Sequence, residues 1–214
     1  MMRNPGVFDR FLCEIDTALR ALCVPQKRSS VRENPAAERP EALMSPEEKR
    51  HVAGLMRVNH AGEVCAQALY QGQALTAQLT SVKDQMTQAA AEEIEHLAWC
   101  EERLRELGSQ PSVLNPLWYG GSFLIGAIAG LVGDRWSLGF VAETEHQVTA
   151  HIARHLEQIP AHDEKTKAVL LQMKSDEAAH AESAVSAGGT ELPALIKRLM
   201  YAMSTVLTVS SKHI

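Results

Sequence analysis

The sequence predicts an all-α protein, and its composition, a long proline-free stretch and a repeated motif support this prediction. Hydrophobic residues make up 45% of the 214 residues, but aromatic residues only 5%. Such a core is built from Ala, Leu, Val, Ile and Met, which favours helices over sheets. From Pro46 to Leu79 the chain contains no further proline. A chain of this length can form one domain with a sizeable core and an additional segment.

The repeated motif is Glu-x-x-His, which occurs as Glu93-Ile94-Glu95-His96 and as Glu177-Ala178-Ala179-His180. Residues three apart on a helix project from one face, so a carboxylate and an imidazole in this pattern can bind the same metal ion. A single copy is a weak indication, because most such matches in helical proteins arise by chance. Two copies in one chain indicate a two-metal site.

A lone glutamate precedes each copy at a similar distance. Glu63 lies 30 residues before Glu93, and Glu145 lies 32 residues before Glu177. If the members of each pair face one another across an antiparallel helical hairpin, the turns fall near residues 78 and 161, where the sequence carries turn and capping residues. The pattern predicts a ferritin-like four-helix bundle with a di-iron or di-manganese ligand set. The candidate metal ligands are Glu63, Glu93, His96, Glu145, Glu177 and His180.

Several other polar residues lie close to these candidates in the sequence. Glu145 is preferred to Glu143 as a ligand only because of its spacing to Glu177. Glu92 and Glu95 are interpreted as a solvated face or as residues that support the ligands. His60 is interpreted as a surface or supporting histidine rather than a ligand.

The chain divides into three segments. Residues 1–22 are predicted to form a short amphipathic helix, whose periodic part is 7–22 and which either packs on the bundle, the preferred interpretation, or faces lipid or a partner. Residues 23–44, rich in proline and charge, are predicted to form an exposed linker. Ser45-Pro46-Glu47-Glu48 combines a capping serine, an early proline and a glutamate three residues after the cap. This signature marks the start of the bundle, which we predict to span residues 45–214.

Two added segments of the bundle are unusually apolar. Residues 107–133 contain no Asp, Glu, Lys or Arg, and the predicted crossover at 111–133 includes a ten-residue apolar run at 123–132. This run is shorter than the roughly 20 residues that cross a bilayer, so we expect a buried crossover helix, a segment that enters one leaflet, or both. Its Gly126-x-x-x-Gly130 spacing permits close helix contact. Residues 190–210 are predicted to form an amphipathic helix that either covers the bundle or, with residues 117–133, forms a membrane-facing entrance for an apolar substrate.

Composition and missing motifs exclude several functions. The net charge of −5 is unlike that of a nucleic-acid-binding protein. The four cysteines form no Cys-x-x-Cys pair, so we expect reduced thiols rather than zinc sites or disulfides. Charged residues such as Asp9 and Glu14 interrupt the N-terminus, so we expect no secretory signal and an intracellular protein. The sequence has no Gly-x-Gly-x-x-Gly motif, so we expect electrons to come from the reduced substrate or from an external reductant.

Further characteristic residues surround the candidate ligands. They are Arg57-Val58-Asn59-His60-Ala61-Gly62-Glu63 with Ala66 and Tyr70, the Glu93-x-x-His96 pair, Val141-Ala142-x-x-Glu145 with His151, and Asp176-Glu177-x-x-His180. Together they resemble the demethoxyubiquinone hydroxylases, the di-iron monooxygenases of ubiquinone biosynthesis. The resemblance covers roughly residues 45–210. It departs from the family at His146, where another acid is common.

The resemblance implies that the six candidate ligands bind two iron ions, with Glu93 and Glu177 bridging them, and that Tyr70 and His151 lie near the site. It also implies an activity. This is the O₂-dependent hydroxylation, through a di-iron peroxo centre, of the ring of a polyprenylated methoxy-methyl-benzoquinol, demethoxyubiquinol.

The implied partners are this quinol, the membrane surface, an external reductant, and either further copies of the chain or other ubiquinone-biosynthesis proteins. We expect a peripheral protein at the cytoplasmic face of the inner cell membrane, and no nucleic-acid partner. The main alternative is a ferritin-like protein for iron storage or peroxide detoxification, which would use the same ligands. A bundle with only a structural role and a hydroxylase of tRNA are further alternatives, and the acidic charge disfavours the latter.

Overall fold

The computed structural model describes residues 7–23, 25, 28 and 30–214, and this described part of the chain is helical and has no β-strand. The prediction of an all-α protein is therefore confirmed. Residues 1–6 of the predicted N-terminal helix lie outside the described residues. The helices are α1 (Val7–Leu22), α2 (Pro46–Thr76), α3 (Thr80–Glu106), α4 (Asn115–Val132), α5 (Asp134–Leu156), α6 (Glu164–Ser186) and α7 (Ala194–Ser211).

Helices α2, α3, α5 and α6 form the ferritin-like four-helix bundle that the sequence predicts. Residues 77–79 join α2 to α3, and residues 157–163 join α5 to α6. The turns predicted near residues 78 and 161 fall in these two connections. Such short connections make each pair of helices antiparallel neighbours. Each pair therefore carries one lone glutamate opposite one Glu-x-x-His motif.

Specific side chains fix the ends of these helices. At the start of α2, Glu48 N donates to Ser45 Oγ at 3.2 Å and Ser45 N donates to Glu48 Oε2 at 2.7 Å, which is the predicted capping box. At the start of α6, Thr166 N donates to Asp163 Oδ1 at 3.1 Å. The carboxylate of Asp134 accepts hydrogen bonds from the backbone of the α2–α3 connection. This contact ties the first hairpin to the start of α5.

Two apolar layers separate the middle of the bundle from its ends. One layer contains Trp99 and lies towards one end of the bundle. The other contains Tyr70 and lies towards the opposite end. Each bundle helix contributes to both layers and places its candidate ligands between them. The larger buried side chains of the first layer are Leu55, Met56, Trp99, Leu104, Ile152, Leu170 and Met173, and those of the second are Tyr70, Val82, Met86, Leu138 and Val141.

Helix α4 packs on α2 through glycines and turns its larger apolar side chains outward. A Cβ atom on Gly126 would overlap the Leu69 carbonyl, and one on Gly72 would overlap the Phe123 carbonyl. This confirms the close contact predicted from the glycine spacing. In the single chain, this crossover helix is buried on the face that meets α2 and exposed on the other. Five side chains of α4 are more than half exposed, namely Leu117, Leu124, Ile128, Leu131 and Val132.

Helix α7 also exposes many of its apolar side chains. Lys197 Nζ lies 3.4 Å from Glu143 Oε2 of the bundle, and Trp118 Nε1 of α4 donates to Ser211 Oγ at 3.0 Å. Helix α7 thus makes polar contacts with the bundle and with α4, and its residues Ile196, Met200 and Leu207 are partly buried. Its apolar residues Leu195, Leu199, Met203, Val206 and Val209 are more than half exposed. In the described part of the chain, no helix combines the length and hydrophobicity needed to cross a bilayer.

Helix α1 has one packed face and one exposed face. Ala18, Ala21 and Leu22 pack against a cluster that contains Val64 of α2 and Tyr119 of α4. The opposite face exposes Phe8, Leu12, Ile15 and Leu19. One face of this helix therefore packs on the bundle, and the other does not.

The segment after α1 lies along α3. We call residues 30–44 the strap. Arg28, just before it, is buried and donates to Glu101 of α3 at 2.6 Å, and Ala36 and Met44 belong to the core. The prediction that residues 23–44 form an exposed linker is wrong at these three positions, and its residues 24, 26, 27 and 29 lie outside the described part. Its prolines and charged residues suggested a solvated chain. The partners of its buried residues, such as Glu101 for Arg28, lie far away in the sequence and could not be recognised from it.

Candidate metal centre

The structure brings the six predicted ligands together between the two apolar layers. All four carboxylates and His96 are buried, and the His180 side chain is 12% exposed. The ligand atoms of four of them, Glu63, Glu93, His96 and Glu177, all lie within 4.8 Å of one another. The remaining two, Glu145 and His180, adjoin this group through Glu177.

The two histidines face the carboxylates through the same ring nitrogen. His96 Nδ1 lies 3.1 Å from Glu93 Oε2, 3.0 Å from Glu177 Oε1 and 3.4 Å from Glu63 Oε2. His180 Nδ1 lies 3.1 Å from Glu177 Oε2 and 3.6 Å from Glu93 Oε1. Glu93 and Glu177 therefore contact both histidines, whereas Glu63 lies beside His96. This arrangement suits two carboxylates shared between two ions and one terminal carboxylate for each ion.

Tyr70 closes the side of the cluster near Glu145. Its hydroxyl donates to Glu145 Oε1, and its ring lies edge-on to His180 with 6.3 Å between the ring centroids. Burial and the neighbouring Glu145 carboxylate raise the pKa of Tyr70 well above its usual value. The hydroxyl therefore keeps its proton and orients Glu145. Tyr70 thus lies at the site, as the resemblance implied.

The charges of the cluster fit bound divalent cations. Burial, together with the neighbouring Glu177 carboxylate, raises the pKa of Glu93 and of Glu145 well above the usual value for glutamate. Four buried carboxylates repel one another unless protons or cations compensate them. Glu93 Oε1 and Glu145 Oε2 are also buried without a hydrogen-bond partner in the described structure. Carboxylate and imidazole donors with free oxygens suit iron or manganese.

Two acids outside the cluster hold the histidines in a reciprocal arrangement. His96 Nε2, on α3, lies 3.0 Å from Asp176 Oδ2 on α6, and His180 Nε2, on α6, lies 2.6 Å from Glu92 Oε2 on α3. With Nδ1 directed at the metal site, each Nε2–H donates to its acid. Each acid directly precedes the glutamate of the opposite motif. The sequence alone predicts a solvated or supporting Glu92 and no particular role for Asp176, although an acid directly before both motifs is a usable signal.

His60 supports a different buried network. Its Nε2 lies 3.4 Å from Glu101 Oε1, and its Nδ1 lies 3.2 Å from Asn115 Nδ2. Arg28 pairs with the same glutamate, and its guanidinium lowers the pKa of Glu101 together with the hydrogen bond from His60. His60 is therefore a fully buried supporting residue and not a surface histidine.

His151 lies in a separate pocket. Its ring centroid is 4.0 Å from that of His155, and both rings line a pocket between α2, α5 and α7 that also contains Tyr201 and Lys212. Burial lowers the pKa of His151 to about 4 and that of His155 to about 3. The contacts described for His151 are with this pocket rather than with the six ligands.

The burial of their side chains distinguishes the two candidate ligands on α5, Glu143 and Glu145. Glu145 is buried in the cluster, whereas Glu143 pairs with Lys197 of α7. The choice of Glu145 over Glu143, made on spacing alone, agrees with this placement. His146, the departure from the family pattern, is exposed and points away from the buried cluster.

A small pocket reaches the cluster from the outside. It measures about 100 Å³ and is lined by Tyr70, Met86, Ala89, Glu92, Val141 and His180, among others. Because Tyr70 and His180 form part of its wall, a molecule in this pocket would lie beside the candidate ligands. Its lining is mostly polar, and Met86, Ala89 and Val141 are its apolar members.

Comparisons with known proteins agree with this site. Residues 50–211 match the family model described as "Ubiquinone biosynthesis protein COQ7". The chain is 61% identical to the 3-demethoxyubiquinol 3-hydroxylase of Legionella pneumophila strain Corby, over 100% of both chains. It is 60% identical to that of Ectopseudomonas mendocina and 58% identical to that of Pseudomonas fluorescens strain SBW25, in each case over 99% of this chain and 98% of the relative. The chain therefore belongs to the COQ7 family of ubiquinone-biosynthesis proteins, the family of demethoxyubiquinone hydroxylases that its motifs resemble.

Proposed function

We propose that this chain is an O₂-dependent monooxygenase that hydroxylates the ring of a polyprenylated demethoxyubiquinol in ubiquinone biosynthesis. The observation that carries the proposal is the buried group of four glutamates and two histidines, in a chain with 61% identity to a 3-demethoxyubiquinol 3-hydroxylase. The ligand types suit iron that must react with oxygen.

The six side chains would hold two iron ions. Glu63 and His96 would bind one ion, Glu145 and His180 the other, and Glu93 and Glu177 would bridge them. When bound, the two ions supply the site at which O₂ is reduced and one oxygen atom is made available to the ring. The protein holds the ligands in place and keeps bulk water out with the apolar layers on both sides.

The pocket beside Tyr70 and His180 is the proposed position of the quinol ring. At about 100 Å³ it is smaller than the roughly 300–1,000 Å³ usual for ligand pockets. Met86 lines it, and the flexible side chain of methionine can move to enlarge such a space. Tyr70 would keep its proton there, hold Glu145 and limit how far the ring enters.

The polyprenyl tail gives a reason for the outward apolar faces of α4 and α7. A soluble storage protein would gain nothing from exposing ten large apolar side chains on two neighbouring helices. Helices that lie in the membrane interface expose such faces to lipid without crossing it. We therefore propose that the protein is peripheral at the cytoplasmic face of the inner membrane and receives its substrate there. Electrons would come from an external reductant.

The function is tested with iron-loaded protein, a reductant and a short-chain demethoxyubiquinol analogue under ¹⁸O₂. Wild type is expected to form the hydroxylated quinol with one labelled oxygen, and Glu177→Ala is expected to form none, because it removes a bridging ligand. His146→Gln is a matched control, since His146 is exposed on a bundle helix. The assignment fails if the wild type, fully loaded with iron, leaves the quinol unchanged. Rapid iron oxidation without quinol hydroxylation would instead support storage or peroxide removal.

A further inference from the structure

We propose that Arg32 of the strap is a positioning residue for the metal ligand His96, and that it acts through Asp176. Arg32 lies before the region matched by the family model, residues 50–211. It nevertheless reaches an acid that contacts a candidate ligand. This inference rests on the proposed metal centre, and it adds a residue from outside the four-helix bundle.

The Asp176 carboxylate is held from three directions. Its Oδ2 atom lies 2.8 Å from Arg32 Nη1 and 3.0 Å from His96 Nε2, and Gln172 Nε2 donates to Oδ1 at 2.9 Å. The same oxygen thus accepts hydrogen bonds from Arg32 of the strap and from the candidate ligand His96. Removal of Arg32 frees the carboxylate on one side and allows it to turn away from His96.

Arg32 is itself fixed on α3. The backbone N–H groups of Val31 and Arg32 donate to the two oxygens of Glu95 at 2.7 and 2.8 Å. The guanidinium lies over the ring of Trp99, 4.8 Å from its centroid, and the Trp99 ring lies 5.4 Å from that of His96. The ion pair between Arg28 and Glu101 anchors the chain just before the strap. Arg32 therefore approaches Asp176 from a defined direction.

Among the described residues, no arginine or lysine makes a hydrogen bond to Glu92, the acid that accepts from the second histidine ligand, His180. Glu92, which accepts from His180, receives a further hydrogen bond from Gln88 of its own helix, at 3.0 Å. The Glu92 side chain is 38% exposed, compared with 16% for Asp176. The charge of Arg32 also contributes, after the hydrogen bonds from His180 and Gln88, to the lowered pKa of Glu92. Because no hydrogen bond joins Arg32 to Glu92 among the described residues, the larger effect of Arg32 should be on the ion bound by His96.

The expected loss of metal affinity on removal of Arg32 follows from what is known of hydrogen bonds to metal-ligating side chains. Partners of a ligating imidazole fix its tautomer and orientation, and their loss typically costs about 10–100-fold in metal affinity. Arg32 is one contact further out than Asp176, so we expect about a tenfold loss at one of the two ions.

The test is a Mn²⁺ titration of the full chain, followed by electron paramagnetic resonance. Arg32→Met is expected to weaken one of two Mn²⁺ binding steps about tenfold and to change the other much less. Arg32→Lys retains the charge and is expected to bind both ions nearly as wild type does. Arg39→Met is the control, because Arg39 is an exposed arginine of the same strap.

A double-mutant cycle tests whether Arg32 acts through Asp176. In an Asp176→Ala background, Arg32→Met is expected to cause no further loss of affinity. A further loss there, or equal losses for Arg32→Lys and Arg32→Met, would overturn the proposal by pointing to a general role in strap folding. If wild type fails to bind two Mn²⁺ ions, the proposed centre itself is refuted. If wild type binds two and Arg32→Met binds them equally well, only the role of Arg32 is refuted.

Discussion

Gly126 of α4 lies directly against the backbone carbonyl of Leu69 in α2, with no room for a side chain between the two helices. Gly121, on the same helix, has open space where its Cβ would be. The two glycines therefore form a matched pair for testing how α4 is held on the bundle.

Gly126→Ala is expected to lower the free energy of unfolding by about 1–3 kcal/mol, because the added methyl group forces the backbones of α2 and α4 apart. Gly121→Ala is expected to raise it by up to about 1 kcal/mol, since alanine is the better helix former and meets no neighbour. Chemical denaturation of both variants measures the difference. Equal effects of the two substitutions would contradict the close packing of α4.

The outward faces of α4 and α7 lead to a second prediction, on membrane binding. Wild type is expected to sediment with vesicles of phosphatidylethanolamine and phosphatidylglycerol. Combined Leu124→Glu and Leu199→Glu substitutions are expected to weaken this binding about tenfold or more, since two large apolar side chains are lost from the interface. Leu171→Glu is the control, because Leu171 is similarly exposed on α6. If Leu171→Glu weakens binding as strongly, the proposed membrane face is wrong.

The pocket beside Tyr70 and His180 leads to a third prediction. Ala89→Leu places a larger side chain in this small pocket and is expected to raise KM for the quinol several-fold, with metal content unchanged. Ala91→Leu adds the same atoms at an exposed position of α3. Thermal unfolding of both variants shows whether the Ala89 variant remains folded. An unchanged KM in a folded Ala89 variant would exclude this pocket as the ring site.

The helical bundle and the clustering of the candidate ligands could be predicted from the sequence because both depend on local periodicity. The spacing between Glu63 and Glu93 places two carboxylates opposite one another once the hairpin turn is near residue 78. The Glu-x-x-His pattern then fixes the faces of α3 and α6. These relations need no knowledge of distant contacts.

Other features depended on contacts that the sequence does not encode locally. Amphipathic periodicity identified α7 as a helix with two faces, but it does not say which apolar residues meet the bundle. Here Ile196, Met200 and Leu207 are partly buried, whereas other apolar residues of the helix, such as Leu199 and Met203, are exposed. The residues around Arg28 and Arg32 have the composition of a solvated linker, yet buried acids on α3 hold both arginines. His151 was placed near the metal site through the resemblance, whereas the structure pairs it with His155.

The pair formed by His151 and His155 leads to the last prediction, on stability at low pH. Burial and the positive charge of Arg154 lower the pKa of His151 to about 4, and burial and nearby positive charges lower that of His155 to about 3. In the unfolded chain both pKa values return to about 6.5. As the pH falls from about 6.5 towards 4, the two histidines bind protons in the unfolded state but stay neutral in the folded state. The free energy of unfolding therefore decreases. Each histidine contributes a slope of up to about 1.4 kcal/mol per pH unit.

The measurement compares chemical denaturation at several pH values for wild type and for His151→Gln with His155→Gln. The double variant loses the hydrogen bond between His155 and Asn59 and is expected to be less stable at neutral pH, but with a shallower decline between about pH 6.5 and 4. His146→Gln is the control, because His146 is an exposed histidine of the same helix. Since the metal-site carboxylates are the same in all three proteins, their titration cancels in the comparison. Parallel curves for wild type and the double variant would show that the buried pair does not resist protonation.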